Sequence, residues 1–172
     1  MESIPYDKRS GKIWFNGRTV DWKDANIHIL NHGLHYASCV FEGERVYDGE
    51  IFKLEEHTDR LFYSAKRMGI KVPYTQKELN EACKKIVNIQ KVKNGYVRPL
   101  IWRGSEMMAI SAQKNKIHVA IATWEWGSYF DPKLKLNGIK LDISKWRRPA
   151  PNTIPWDTKA SGLYMICTLS KH

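Results

Sequence analysis

The sequence predicts an α+β domain, a mixed sheet flanked by two helices, followed by the beginning of a second domain. Three observations lead to this prediction. An Asn-Gly pair and an Asp-Gly pair each separate apolar stretches in the first third of the chain, which indicates two tight β-hairpins. Two segments with helical apolar spacing come next, and long β-favouring stretches follow them. Strands and helices grouped in this way are typical of α+β folds.

The hairpins are predicted at residues 13–20 and 40–54. Asn16–Gly17 and Asp48–Gly49 supply residue types that tolerate the positive φ angles of a two-residue turn. Both turns lie between apolar, β-favouring residues, so each should join two neighbouring antiparallel strands.

The first helix is predicted over residues 54–68, where apolar residues recur every three or four positions and Gly69 is placed to end it. The second helix should begin after Thr75, because TQKE forms a capping box. In that box the Thr75 oxygen accepts from a free backbone amide and Glu78 reaches back to the cap. The apolar face of this second helix comprises Leu79, Ala82, Cys83, Ile86 and Ile89.

Three later segments are predicted to be strands, at residues 95–104, 116–126 and 138–146. The first two are long and rich in apolar or β-branched residues, and the third alternates between apolar and polar residues. Prolines between residues 149 and 155 exclude a regular helix there, and a helix is predicted to begin near Lys159.

This order of elements predicts two domains of unequal size. We place a small α+β domain at residues 1–124, an interdomain loop at 125–133 and the start of a large domain at 134–172. The last part has about 40 residues, which are too few to bury a core of their own. The sequence is therefore expected to end within its second domain.

Composition restricts the classes of function. The net charge is +10, from 28 basic and 18 acidic side chains, but the basic residues are spread along the chain. Because no block of like charge resembles a nucleic-acid arm, nucleic-acid binding is only a minor alternative. No apolar run reaches the length of a membrane span, and the N-terminus lacks a secretory pattern. A cytoplasmic protein that does not bind a membrane is expected.

Cysteine and histidine spacing does not predict a metal site. The three cysteines contain no C-x-x-C pair, so they are interpreted as small buried hydrophobic residues. His32, His35 and Glu42 lie close in sequence, but no further ligand is placed beside them.

Lys159 is the first candidate for chemistry, within PNTIPWDTKASGLYM. A lysine among small and apolar neighbours is either an ordinary solvated side chain or a nucleophile for carbonyl compounds. Arg60 lies beside the apolar stripe of the first helix. It could bind an anion with its planar fork, or it could form an ion pair with Glu56 one turn away.

Arg98 lies in the middle of an apolar strand, and Tyr96 projects from the same face of that strand. A buried guanidinium needs a partner. The pair is therefore either a receptor for a carboxylate or a tyrosine beside an arginine that faces solvent.

Taken together, these segments resemble the branched-chain amino acid aminotransferases. These are pyridoxal-phosphate enzymes of fold type IV, which also includes D-amino acid aminotransferase and aminodeoxychorismate lyase. The resemblance begins near residue 10, and within the fold type YVRPLIWRG favours the branched-chain group. It is carried by HGLHYASCVFEGERVY, HTDRLFYSAK, GYVRPLIWRG, WEWGSY and APNTIPWDTKASGLY.

The resemblance implies that the cofactor is pyridoxal 5'-phosphate. Lys159 would form a Schiff base with the cofactor aldehyde and move a proton between substrate and cofactor. Arg60 would bind the phosphate, and Tyr164 would hydrogen-bond the ring oxygen. The implied fold is the N-terminal small domain of a fold-type IV aminotransferase with the beginning of its large domain, truncated after the cofactor lysine.

The same resemblance implies amino transfer from leucine, isoleucine or valine to 2-oxoglutarate, with the branched 2-oxo acids and glutamate as the other partners. Arg98 would take the distal carboxylate of the acidic substrate. The implied substrate residues are Tyr36 and Phe41 in the aliphatic pocket, Tyr96 and Arg98 on the strand, and Trp126 and Tyr129 on the interdomain loop.

Family members continue well beyond the cofactor lysine. That continuation contains a glutamate for the pyridine nitrogen, phosphate-binding turns and most of the large domain. The alternatives are therefore an inactive or split-enzyme fragment with a binding or assembly role, or another enzyme of this fold type. A dimer-based homo-oligomer is also implied, with Trp14, Tyr36 and Phe41 as apolar surface.

Overall fold

The computed structural model describes residues 4–127 and 136–171. A sheet of seven strands dominates this part of the chain. The strands are β1 (Lys12–Phe15), β2 (Arg18–Asp21), β3 (Cys39–Phe41), β4 (Glu44–Tyr47), β5 (Glu50–Ile51), β6 (Gly95–Arg103) and β7 (Ile117–Glu125). The helices are α1 (His32–Tyr36), α2 (Leu54–Arg67), α3 (Gln76–Gln90) and a short C-terminal helix (Met165–Leu169).

The strands are ordered β2-β1-β7-β6-β4-β5, and β3 also pairs with β6. The predicted α+β class is confirmed. The pairings among the described strands are antiparallel, so the predicted mixture of parallel and antiparallel pairing is wrong for this part. Tight hairpins join β1 to β2 and β4 to β5, and the two long helices return the chain so that β6 runs antiparallel to β4.

Both predicted hairpin turns are confirmed by their backbone angles. Asn16 and Gly17 have φ of 48° and 88°, and Asp48 and Gly49 have φ of 50° and 87°. Two successive positive φ angles match the twist of the flanking strands, which is why Asn-Gly and Asp-Gly are favoured here.

Both predicted helices are present, and the capping box of α3 is formed. The Glu78 amide donates to Thr75 Oγ1 at 3.2 Å, and the Thr75 amide donates to Glu78 Oε2 at 2.7 Å. Four of the five predicted apolar residues of α3 are buried, whereas Ile89 is exposed and Val87 is buried in addition. The prediction for Ile89 is therefore wrong, since the contact with the sheet follows Ile86 and Val87 near the end of the helix.

The core lies between one face of the sheet and the two long helices. Alternate residues of β6 and β7, such as Val97, Ile101 and Val119, pack against Leu61 of α2 and Leu79 of α3. Since side chains of a strand alternate between faces, the residues between them project from the opposite face. Tyr96 and Arg98 belong to that opposite face, and they share one face of the strand as the sequence predicted.

The predicted strand at residues 138–146 is wrong. No described residue of this segment is in a strand, and Leu141 and Ile143 are 86% and 87% exposed. The alternating pattern is present, but a strand also needs a hydrogen-bonding neighbour, and no described segment pairs with this one. The domain boundaries inferred for residues 125–133 stay a prediction, since residues 128–135 lie outside the described parts.

The region after Lys159 begins with a 3-10 turn (Ser161–Tyr164) that continues into the C-terminal helix, which agrees with the predicted helix start. Cys39 and Cys83 are buried as predicted, whereas Cys167 on this last helix is exposed. None of the helices in the described ranges is long and apolar enough to pass through a lipid bilayer.

Glu44 is a charged residue type in the middle of this core. Its side chain is fully buried on β4, and neither carboxylate oxygen has a hydrogen-bond partner among the described residues. Burial, together with the nearby carboxylate of Glu42, raises the pKa of Glu44 from 4.5 to about 8. The folded protein therefore retains a proton at neutral pH that the unfolded chain releases.

We expect this proton to make stability depend on pH. As pH rises from about 4.5 to about 8, the free energy of unfolding should fall by about 1.4 kcal/mol per pH unit, and it should level off above that range. Glu44→Gln should remove this loss, so that urea unfolding at pH 8 shows the variant to be about 4 kcal/mol more stable than the wild type. Glu50→Gln, on the neighbouring exposed strand, serves as the control. Parallel pH profiles for the wild type and Glu44→Gln would contradict the expectation.

Candidate active site

The site lies beside the central strand β6, at the point where its pairing with β3 and β4 is interrupted. β3 and β4 both pair with β6, and the residues between them are Glu42 and Gly43. The Glu42 amide donates to the Pro99 carbonyl at 2.9 Å. In an antiparallel strand the N–H and C=O of one residue face the same neighbour, and proline has no N–H to donate. The Glu42 carbonyl therefore has no N–H to accept from at Pro99, and Glu42 and Gly43 lie between the two paired segments.

The backbone of Lys159 is fixed between this edge and α2. Its N–H donates to Ser64 Oγ at 3.0 Å, and its carbonyl accepts from the Phe41 amide at 3.1 Å. Ala160 forms an isolated antiparallel bridge with Val40. The lysine segment thus continues the sheet edge beside β3, although Lys159 itself belongs to neither a strand nor a helix.

A second set of contacts holds the residues just before Lys159. Asp157 accepts hydrogen bonds from the Tyr63 hydroxyl at 2.5 Å and from Arg67 at 3.4 Å. The hydrogen bond from Tyr63, supported by Arg67, lowers the pKa of Asp157. Tyr63, Ser64 and Arg67 lie on one face of α2, so that face positions the whole approach to Lys159.

The Lys159 amine points into an aromatic corner. Its Nζ donates to the Tyr164 hydroxyl at 2.5 Å and lies 4.7 Å from the ring centres of both Tyr164 and Phe41. The two rings are 4.8 Å apart. The amine is therefore held at one point and is half-buried, which suits a group that must meet a reactive atom in a fixed geometry.

Arg60 is paired with Glu42, and not with Glu56 as the local alternative predicted. Arg60 Nε and Nη2 donate to the two oxygens of Glu42 at 2.5 and 2.8 Å, whereas Glu56 pairs with Lys53. His57 Nδ1 lies 2.8 Å from the same carboxylate. Burial alone would raise the pKa of Glu42, but the hydrogen bonds from Arg60 and His57 outweigh it and lower that pKa to about 2.

Sequence reasoning gave Glu42 no role in binding Arg60. The two residues are 18 positions apart, and only the packing of α2 on the sheet edge brings them together. A signal was available in hindsight. A glutamate directly after an apolar strand is expected to be buried, and a buried carboxylate needs a partner.

Arg98 also contacts the Phe41 ring. Its guanidinium is 4.5 Å from the centre of the Phe41 ring, and its Nη2 donates to the Tyr96 hydroxyl at 3.2 Å. Arg98 is half-buried, so the alternative of a solvent-facing arginine is wrong. Its Nε is buried without an acceptor among the described residues. Phe41 and Tyr96 form an aromatic wall beside Arg98, and Trp126 extends it, with its ring 4.9 Å from that of Tyr96.

Among the described residues, the predicted site residue Tyr36 is not part of this cluster. Tyr36 stacks on His32 at 4.5 Å and is 48% exposed, and no hydrogen bond or ring contact in the described part joins it to Phe41 or Lys159. Tyr129 lies outside the described residues. The described residues contain no group of His, Cys, Asp and Glu that could hold a metal ion; His32 contacts Ser38 and Ala109 instead.

The residues present fit pyridoxal 5'-phosphate. Lys159 provides a primary amine that donates to the Tyr164 hydroxyl, and Arg60 provides a guanidinium on α2, the helix whose Ser64 binds the Lys159 amide. The side chain of Arg60 is 52% exposed despite its pairing with Glu42, so part of its guanidinium remains open to a phosphate. Lys159 would hold the aldehyde carbon, Arg60 the phosphate and Tyr164 the ring oxygen.

The described part of the chain is thus an antiparallel sheet with two helices on one face, and Lys159 is fixed at the edge of that sheet. The pattern of the family described as "Amino-transferase class IV" matches residues 39–169. The chain belongs to this family, and the resemblance seen in the sequence is confirmed.

Several similar proteins are branched-chain enzymes. The branched-chain-amino-acid aminotransferase of Pseudomonas aeruginosa PAO1 is 42% identical over 166 residues, which are 94% of this chain and 54% of that protein. A branched-chain amino acid aminotransferase from T.th., solved with pyridoxamine 5'-phosphate, superposes with a TM-score of 0.88 at 36% identity, over 94% of this chain and 54% of that one.

The T.th. enzyme is also known with two other ligands. Its complexes with N-(5'-phosphopyridoxyl)-L-glutamate and with 4-methylvaleric acid match at TM-scores of 0.83 and 0.84. Both are 34% identical and cover 94% of this chain and 53% of theirs. The chain thus spans about half the length of the relatives that it matches.

Proposed function

We propose that this chain is the lysine-bearing part of a branched-chain amino acid aminotransferase. The enzyme would transfer the amino group of leucine, isoleucine or valine to 2-oxoglutarate, with pyridoxal 5'-phosphate attached to Lys159. When bound, the cofactor supplies an aldehyde and an electron-withdrawing ring. The relatives' names support the branched-chain assignment.

One observation carries the proposal. The centre of the Phe41 ring lies 4.7 Å from the Lys159 amine and 4.5 Å from the Arg98 guanidinium. A group that reacts with carbonyl compounds and a group that binds carboxylates therefore share one aromatic wall. An α-amino or 2-oxo acid has both functions within a few atoms, so it suits this spacing.

Each of these side chains then has a proposed role. Lys159 would attach the cofactor and afterwards accept and return a proton at its Nζ, while the Tyr164 hydroxyl holds that nitrogen in place. Arg60 would bind the phosphate. Arg98, with its buried and unsatisfied Nε–H, would take the distal carboxylate of glutamate or 2-oxoglutarate beside Tyr96, because leaving that donor unpaired is unfavourable.

Two ligands of the T.th. enzyme agree with a site that accepts both kinds of side chain, since one contains glutamate and the other is a branched aliphatic acid. The apolar part would be lined by Phe41 and closed by Trp126. The roles inferred for Tyr36 and Tyr129 stay predictions.

The test is amino transfer from L-leucine to 2-oxoglutarate by the chain with pyridoxal 5'-phosphate, followed as glutamate formed, with D-leucine as the control donor. Arg98→Leu should raise KM for 2-oxoglutarate by about 30-fold, because a desolvated charge pair is worth about 2 kcal/mol or more. KM for leucine should change little. A folded chain that carries the cofactor but forms no glutamate would instead be an inactive or split-enzyme fragment.

Self-association and a cytoplasmic location are part of the proposal. Trp14 and Phe41, expected as contact surface, are buried and cannot supply it. Ile29, Leu34 and Ile110, which are exposed by 69%, 58% and 87%, are the contact residues proposed instead, because a contiguous apolar patch would mark an interaction site.

A further inference from the structure

Arg60 uses only one of its two donor edges for Glu42. The side edge, formed by Nε and one N–H of Nη2, meets the two carboxylate oxygens at 2.5 and 2.8 Å. The terminal edge, formed by Nη1 and the second N–H of Nη2, remains. Glu42 is fully buried and the Arg60 side chain is 52% exposed, so the side edge faces the interior and the terminal edge is the donor edge that Glu42 does not cover.

Glu42 cannot move away easily when an anion approaches. Its side chain also contacts His57 Nδ1 at 2.8 Å and accepts from the Gly43 amide at 3.2 Å. Its own amide is bound to Pro99 on the central strand. A displaced Glu42 would leave several donors unpaired in a buried place, which is unfavourable for each of them.

We propose that Glu42 is a positioning residue that presents the terminal edge of Arg60 to the cofactor phosphate, with His57 holding the carboxylate in place. This inference rests on the proposed function, since it concerns the same phosphate. A guanidinium fixed before binding loses less conformational freedom when the phosphate arrives. Its two terminal donors also match two phosphate oxygens without any change in the bond to Glu42.

The opposite role makes the opposite prediction. If Glu42 were a competitor that must release Arg60 before the phosphate binds, removing its charge would strengthen phosphate binding. The sign of the change in affinity therefore distinguishes positioning from competition.

The experiment measures binding of pyridoxine 5'-phosphate and of pyridoxine to the chain by titration calorimetry. Neither ligand has an aldehyde, so neither depends on the reaction at Lys159. Glu42→Gln should weaken binding of pyridoxine 5'-phosphate by about tenfold, the scale seen when an orienting partner is lost, and leave pyridoxine binding nearly unchanged. Glu56→Gln, which removes an equal charge from α2 without touching Arg60, should change neither affinity.

A second variant keeps the inference testable if Glu42→Gln does not fold. Glu42→Asp keeps the charge but is one methylene shorter, so it cannot reach both Arg60 nitrogens, and a smaller selective loss is expected. Unchanged or tighter phosphate binding in Glu42→Gln, an equal loss for both ligands, or a wild type with no preference for the phosphorylated ligand would each overturn the inference. Failure of the proposed function looks different: the preference and its dependence on Glu42 persist, but pyridoxal 5'-phosphate forms no adduct at Lys159.

Discussion

Replacing Lys159 by alanine should abolish the covalent attachment of pyridoxal 5'-phosphate. The wild-type chain should turn yellow with the cofactor, and borohydride should then fix one cofactor to the peptide that contains WDTKASGLY. The reason is the position of the amine, which is held by Tyr164 at 2.5 Å and packed between two rings. Loss should be complete, because the substitution removes the attacking nitrogen itself. Absorbance and peptide mass measure it.

Lys66→Ala is the matched control, since Lys66 is exposed on α2, two turns from the Arg60 region, and has no place in the site. It should keep both colour and adduct. Label spread over many lysines in the wild type, or an adduct that survives in Lys159→Ala, would mean that this amine has no special reactivity in the chain.

Replacing Gly43 by alanine should damage the substrate side of the site. A Cβ at Gly43 would lie 1.6 Å from the Tyr96 hydroxyl oxygen and 2.5 Å from the ring carbon that bears it. The backbone of Gly43 is not in the left-handed region, so the position requires glycine for space alone. Tyr96 cannot turn away freely, because its ring packs on Trp124 and Trp126 and its hydroxyl accepts from Arg98.

The expected cost is about 1–3 kcal/mol of unfolding free energy, the usual scale of an overpacked site, together with weaker 2-oxoglutarate binding as the Tyr96–Arg98 pair is displaced. Chemical denaturation measures the change in unfolding free energy. The KM for 2-oxoglutarate in amino transfer measures the change in its binding. Gly127→Ala, which meets nothing within 4 Å, is the control. In a Tyr96→Ala background the stability cost of Gly43→Ala should largely disappear, and an unchanged cost would show that the clash is not its cause.

The sequence predicted the elements whose signals are local. The hairpin turns at Asn16–Gly17 and Asp48–Gly49 follow from φ angles that few residue pairs adopt. The cap at Thr75 follows from a hydrogen-bond exchange within four residues. The face shared by Tyr96 and Arg98 follows from the two-residue period of a strand. Each depends on a few neighbouring residues, so no tertiary information was needed.

The wrong predictions involve partners distant in the chain. The alternating segment 138–146 is not a strand, because alternation does not supply a neighbouring strand. Ile89 is exposed because the packing of α3 on the sheet, and not helical spacing alone, decides where contact ends.

For the site, the sequence alone determined the residue types that can do the chemistry and, through the family resemblance, their expected roles. These residue types are the amine of Lys159, the guanidinium of Arg60 and the Tyr96–Arg98 pair on β6. Only the tertiary structure decided how they are held, with Arg60 bound to Glu42 and not to Glu56, and Lys159 fixed by Ser64 and Phe41. The physical reason is that a buried charge or an unpaired backbone group must be satisfied by whatever the fold brings within hydrogen-bond distance, and local spacing does not specify that partner.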